Sequence, residues 1–147
     1  MLGIHNVLNC LAGIAVAIEM GIPENLIRNS LVEFKGIKRR FEIKGKSNCG
    51  ITVIDDYGHH PIEIKYALNA ARELAKNKKV IAIVQPHRYS RLKELFEDFC
   101  SCFNDADIVY VSDVFSAGEK PISDFDKDKL ASGIIDHGHQ NVLKLND

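Results

Sequence analysis

Two carboxylates, a phenol, a glycine and two imidazoles follow one another in Asp55-Asp56-Tyr57-Gly58-His59-His60-Pro61, between an apolar run and a helix start. Adjacent like charges repel, and ionisable groups withdrawn from water shift their pKa values, so such a run is costly to hold and reads first as chemistry. Asp56 can accept hydrogen bonds from ribose hydroxyls, as acidic groups do in nucleotide folds. His59 can exchange protons or orient a reacting group near neutral pH. His60 reads instead as a residue that holds the turn. The plain alternative for the whole run is a solvated strand-to-helix turn with an Asp as its cap.

Two later loops are as rich in ionisable groups: Gln85-Pro86-His87-Arg88-Tyr89-Ser90-Arg91 and Ser112-Asp113-Val114-Phe115-Ser116-Ala117-Gly118-Glu119. Arg88 and Arg91 offer planar forks for carboxylate or phosphate oxygens, although Arg91 also suits an ordinary first helical turn. Arg39 and Arg40 close the basic cluster Lys35-Gly36-Ile37-Lys38-Arg39-Arg40 and could reach a phosphate or simply form a solvated turn. Asn6 and Asn9 lie one helical turn apart, so their amides share a face and could pair with a base edge. Helix capping and an internal polar contact are the respective alternatives. His137-Gly138-His139 reads as a surface turn before a metal site. No G-x-x-x-x-G-K-[ST] loop, G-x-G-x-x-G or nucleophile elbow occurs, so a nucleotide handled here would need its main phosphate grip elsewhere.

Hydrophobic periodicity supplies the elements that must position these groups. A first helix begins near His5 with Val7, Leu11, Ile14 and Ile18 on one stripe, ends at Gly21, and is followed by a second behind Pro23 with Leu26, Ile27 and Leu31 turned inward. Phe41-Glu42-Ile43 and Ile51-Thr52-Val53-Ile54 can pair as a hairpin. A helix behind Pro61, an apolar run at residues 80–84 of the kind buried on both faces, a helix capped by Ser90, and a strand at Ile108-Val109-Tyr110-Val111 follow. A helix at 126–135 and a strand at 141–145 complete the pattern. Strand–helix–strand–helix–strand predicts an α/β fold: a Rossmann-like parallel sheet with helices on both faces, preceded by a helix pair. Ligands bind beyond the carboxyl ends of such strands, and the three loops are expected together on that edge. The opposite edge receives residues 76–79 and 104–107, which read as solubilising turns. Beginning on a helix and ending on a strand, the chain reads as a piece of a longer protein.

The chain has 147 residues, 46% of them hydrophobic and 27% charged, with a formal net charge of −1. These values suit a globular domain with its own core and give no global field toward nucleic acid or an anionic membrane. Cys10, Cys49, Cys100 and Cys102 form no C-x-x-C, and reduced thiols explain them better than disulfides or zinc. No signal peptide or membrane-spanning run is legible, so a cytoplasmic location is expected.

Taken in order, Gly3-Ile4-His5-Asn6-Val7-Leu8-Asn9, Phe34-Lys35-Gly36-Ile37-Lys38-Arg39-Arg40-Phe41, the Asp-Asp-Tyr-Gly-His-His-Pro run, the His87–Arg91 loop and Asp113-Val114-Phe115-Ser116-Ala117-Gly118-Glu119-Lys120-Pro121-Ile122 resemble the Mur ligases of bacterial cell-wall synthesis. The Tyr-Gly-His-His and His-Arg-Tyr forms are most similar to the member that adds alanine. The resemblance implies an enzyme of three domains: UDP-binding, central ATPase and C-terminal Rossmann-like. Residues 1–34 would be the last helices of the central domain and 35–147 the C-terminal domain, truncated at its end. The implied reaction converts the carboxylate of UDP-N-acetylmuramate to an acyl phosphate with ATP and Mg²⁺, after which the L-alanine amine attacks and phosphate leaves.

Motif by motif, the resemblance makes Asn6 and Asn9 adenine contacts flanked by His5. It makes Arg40 a contact to the ATP phosphates, Asp56 the ribose contact and Tyr57 a wall of the nucleotide pocket. His59 would face the reacting centre. His87, Arg88 and Arg91 would meet the amino-acid or muramyl carboxylate, and Glu119 would border the alanine ammonium. Ile62, Leu92 and Phe115-Ser116 depart from the usual residues without removing a proposed functional side chain. No metal ligand is expected in this segment, which alone is expected to be inactive and to need the missing domains. Two rivals remain: a free-standing metal-dependent phosphoesterase with Asp55, Asp56, His59, His60 and His87 as ligands, and a non-catalytic nucleotide-binding module.

Overall fold

The computed structural model describes residues 3–145, with the side chain of His5 outside that description. Two compact units divide it, Met1–Tyr57 and Gly58–Asp147.

The first unit contains helices α1 (Ile4–Glu19) and α2 (Glu24–Glu33) and strands β1 (Glu42–Lys46) and β2 (Thr52–Asp55). Gly21 closes α1 as expected: at φ 72° it lets its own N–H reach Ile18 O (2.9 Å) and the Ile22 N–H reach Ala17 O (3.0 Å). The two helices meet each other, yet the stripes expected to face inward do not become core. Val7, Leu11, Ile18, Leu26 and Leu31 are all exposed, and α2 buries no residue. An amphipathic helix needs a second layer over its stripe, and one neighbouring helix does not provide it. The strands β1 and β2 form an antiparallel hairpin with Ile43 opposite Ile54 and an irregularity between Ile43 and Gly45.

That pairing corrects the strand count. The strand before Asp55-Asp56 does not join the parallel sheet; its partner is β1.

The second unit runs α3 (Pro61–Ala75), β3 (Ile81–Val84), α4 (Tyr89–Glu94), α5 (Phe96–Ser101), β4 (Ile108–Val111), α6 (Lys127–Asp136) and β5 (Val142–Lys144). Its sheet is parallel in the order β3-β4-β5, with Ala82 beside Val109 and Tyr110 beside Leu143. Leu92, Phe99, Phe103, Val109, Leu130 and Ile134 form the centre of the core. Burial alternates along β3: Ala82 and Val84 are buried, whereas Ile81 and Ile83 are 55% and 72% exposed. The expectation of burial on both faces therefore fails for β3. Both connections, through α4 and α5 and then through α6, step the same way across the sheet. Helices α5 and α6, which these connections carry, pack against each other beside the sheet.

The single helix expected after Ser90 is two. Leu95, at φ −114°, breaks it into α4 and α5. Asp126 caps α6 by accepting the Lys129 N–H at 2.8 Å. The cysteines are free; burial pushes the Cys100 thiol up to about 11 and Cys102 to about 12, so both stay protonated. No helix among the described residues is long and apolar enough to cross a membrane.

Candidate functional site

In the first unit the basic turn is fastened to the end of β2. Arg39 and Phe41 adopt positive φ (58° and 48°), a conformation side-chain-bearing residues hold only when neighbours fix it. Here the fixing bonds are visible. The Phe41 N–H donates to Asp56 Oδ2 at 2.8 Å, the Tyr57 N–H donates to Arg39 O at 2.8 Å, and the Arg39 N–H donates to Glu42 Oε2 at 2.9 Å. That last bond, followed by the Lys44 contact, holds the Glu42 carboxyl below its ordinary pKa. The Arg39 guanidinium lies 4.6 Å from the Tyr57 ring centroid and 3.5 Å from Asp55 Oδ2. Arg39 thus braces the turn, while the Arg40 side chain is exposed beside it. Asn6 and Asn9 share a face of α1, Asn6 half-buried and Asn9 exposed; the His5 side chain lies outside the described residues.

In the second unit a helix start aims His59. His60 caps α3: its Nδ1 accepts the Ile62 N–H at 3.3 Å, and Pro61 occupies the first helical position. Glu63 reaches back, accepting the N–H groups of His59 and His60 at 3.1 Å each. The cap is therefore His60 and not an Asp. Its sequence signal was the glutamate three residues on, the spacing of a capping box.

The His59 ring sits 5.6 Å from that of His87, and His87 sits 5.1 Å from Phe115. A single parallel bridge, His87 with Phe115, carries the β3–β4 pairing past both strand ends. Through it the Phe115 N–H donates to Pro86 O and the Arg88 N–H to Phe115 O, both at 2.8 Å. Arg88 takes φ 74°, and its side chain is exposed. Arg91 folds back, its Nη1 donating to His87 O at 3.0 Å and lying 3.4 Å from His87 Nδ1. Burial, and then the neighbouring Arg91, His59 and Arg88, pull the His87 pKa below the ordinary histidine value, so its ring is neutral at pH 7. Glu119 accepts from Ser90 twice, from the N–H at 3.0 Å and from Oγ at 2.7 Å. These bonds, main-chain first, keep its carboxyl below the usual glutamate range.

Two expected loops, those after β3 and β4, thus meet on one edge of one sheet, and His59 joins them from the start of α3. Asp55, Asp56 and Tyr57 belong to the hairpin unit instead. Sequence reasoning passed over Phe115, which stacks on His87, and Ser90, which binds Glu119 and caps nothing. Glu63 was missed as well. The five-ligand phosphoesterase reading loses His60, whose Nδ1 serves the helix. Among the described residues no group of three His, Cys, Asp or Glu side chains could hold a metal ion. His137 and His139 hold backbone carbonyls, Gly133 O at 2.8 Å and Ala106 O at 3.0 Å, as structural residues do.

An open parallel sheet with His87, Arg88 and Arg91 in the loop after β3 and Glu119 in the loop after the adjacent β4 has the form of a Rossmann-like α/β domain, whose ligands bind at that edge. Comparison narrows the class: residues 39–147 match the glutamate ligase domain of the Mur ligases, and the chain belongs to that family. It is 57% identical over 147 residues to the UDP-N-acetylmuramate–L-alanine ligase of Paramagnetospirillum magneticum, covering all of this chain and 30% of that protein. The enzyme of the same name from Gluconobacter oxydans is 56% identical over the same extent and share. The crystal structure of UDP-N-acetylmuramate-alanine ligase from Thermotoga maritima superposes with a TM-score of 0.80 at 31% identity, over 100% of this chain and 30% of that one. The chain thus spans 30% of the length of these relatives.

Proposed function

We propose that this chain is the C-terminal part of an ATP-dependent ligase that joins L-alanine to UDP-N-acetylmuramate in peptidoglycan synthesis, in the cytoplasm. The observation that carries the reading is the cluster of His59, His87 and Arg91 beyond the carboxyl end of β3. It stands in a chain 57% identical to a ligase named for that reaction. Residues 1–34 are read as the closing helices of the central ATP-binding domain and 35–147 as the C-terminal domain; the family match from residue 39 supports that division.

The residues divide by chemistry. His59 faces the reacting centre, and a neutral His87 beside it accepts or donates one hydrogen bond without adding charge. Arg88 and Arg91 meet a carboxylate, the geometry for which a guanidinium fork is suited. In the hairpin unit, Asp56 is restrained by accepting the Phe41 N–H on one carboxylate oxygen, and the reading assigns this carboxylate to a ribose. Asn6 and Asn9 present amides on one helix face for a base, with His5 flanking them. Arg40 serves the phosphates and Tyr57 walls the pocket. These donors and acceptors suit ATP, which supplies the phosphoryl group that activates the muramyl carboxylate. Mg²⁺ would draw its ligands from the domains that precede this segment.

The test is ADP release by the full-length polypeptide carrying this segment. The reading expects release only when UDP-N-acetylmuramate and L-alanine are both present, with the alanyl product formed in equal amount. Release that ignores either substrate would overturn it.

A further inference from the structure

The geometry points to Glu119 as a positioning residue: it acts by clamping Ser90, and so fixes the Arg88–Arg91 turn, and does not bind the alanine ammonium. The inference rests on the proposed function and assigns Glu119 a different part in it. Both carboxylate oxygens are engaged by one residue, Oε1 by Ser90 Oγ at 2.7 Å and Oε2 by the Ser90 N–H at 3.0 Å. That N–H lies in the first turn of α4, where helix donors lack internal partners. The N-cap position, Arg88, supplies no side-chain bond. A carboxylate from the β4 loop does the work of a cap from a distance.

Its delivery is built in. The Glu119 N–H donates to Ser116 O at 3.0 Å across a turn whose central residues, Ala117 and Gly118, have φ 50° and 86°. On the receiving side Arg88 is held at φ 74°, a region that costs a side-chain-bearing residue energy unless its surroundings impose it. Two restraints do so. The bridge to Phe115 fixes the residue from behind, through its N–H. The clamp on Ser90 fixes the turn from ahead, two residues on. Arg91 follows directly and returns its Nη1 to His87 O. Releasing Ser90 would let the Arg88–Arg91 turn relax and spread both guanidinium groups over many positions.

The experiment is a double-mutant cycle in the full-length ligase with E119Q, S90A and S90A/E119Q, plus S90T as the conservative control. A glutamine keeps one acceptor and loses the charge. Hydrogen bonds to an ionised carboxylate predict a drop in kcat/KM of roughly tenfold or more for E119Q. S90A should reproduce most of it, the double variant should be no worse than the worse single, and S90T should recover most of the loss. Exchange of the Ser90 amide should quicken in E119Q. Losses that multiply, or a neutral S90A beside an E119Q with raised KM for alanine, would overturn the clamp in favour of direct ammonium binding. An enzyme without ligation would refute the proposed function, and an unchanged Ser90 amide in E119Q would separately refute the clamp.

Discussion

The two edges of the parallel sheet carry comparable charge and put it to different ends. Beyond the amino end of β3, Arg72 spends its guanidinium on the fold. Its Nε and Nη2 donate to Asp105 O at 3.1 and 2.9 Å, its Nη1 donates to Lys78 O at 3.0 Å, and Nη2 pairs with Asp107 Oδ2 at 2.7 Å. The same Asp107 oxygen accepts the Val80 N–H at 2.6 Å. At the carboxyl edge, no hydrogen bond or ion pair among the described residues engages the Arg88 guanidinium, and Arg88 and Ala117 sit at positive φ. Charge density alone does not mark a site. What separates the edges is the fate of one guanidinium at each. Arg72 is consumed by main-chain carbonyls, whereas Arg88 is held out on a strained loop, even though Arg91 and Glu119 beside it do bind main-chain groups.

The largest effect removes what both edges share. Phe99→Ala, at a side chain 1% exposed, should destabilise the second unit by about 3–5 kcal/mol. Denaturant unfolding reads this, and a small change would mean that the core does not support both edges. Arg72→Ala should cost about 2 kcal/mol by abandoning the Asp105 and Lys78 carbonyls, again by unfolding. The Val80 N–H, followed by Arg72, holds Asp107 below the aspartate value of 3.8. Its stabilisation is thus full above that value and lost as pH falls through the lower folded pKa. Asp107→Asn should flatten that acid limb.

Gly118→Ala is a smaller probe at the other edge. No heavy atom lies within 4 Å of the added methyl, so the cost is that of an alanine at φ 86°, about 1 kcal/mol. Because this turn delivers Glu119, the variant should also quicken exchange at Ser90. The smallest effect is a pH slope. Folded His87 has a pKa below its ordinary 6.5, so the unfolded chain takes up the proton first as pH falls. Stability contributed by its neutral ring is complete above 6.5 and diminishes below it, and His87→Gln should remove that part of the slope.

Much of this was legible in the sequence, for reasons that differ by residue. Leu92, Phe99 and Phe103 announce their core by helical spacing, and the parallel pair β3–β4 by two short β-branched runs. The loops declared themselves by residue type. What stayed hidden depended on partners distant in sequence. Residues 51–54 look alike whether they pair with β1 or join the parallel sheet, and only the register with residues 42–46 decides. Residues 104–107 read as a solubilising turn because nothing local shows that Arg72 will meet Asp107. Ser90 suits an N-cap by propensity, yet its hydroxyl serves Glu119 across 29 positions. The split at Leu95 has no breaker residue to reveal it.

The most direct test compares Arg72→Ala with Arg88→Ala in the full-length polypeptide carrying this segment, measuring thermal midpoint and the kcat/KM of the proposed ligation for both. If the carboxyl edge is the ligase site and the amino edge is structural, Arg72→Ala lowers the midpoint and keeps kcat/KM at temperatures where it is folded. Arg88→Ala keeps the midpoint and loses roughly tenfold or more in kcat/KM. An Arg88→Ala enzyme of full activity, or an Arg72→Ala enzyme that stays folded and loses activity, would contradict the division between the edges.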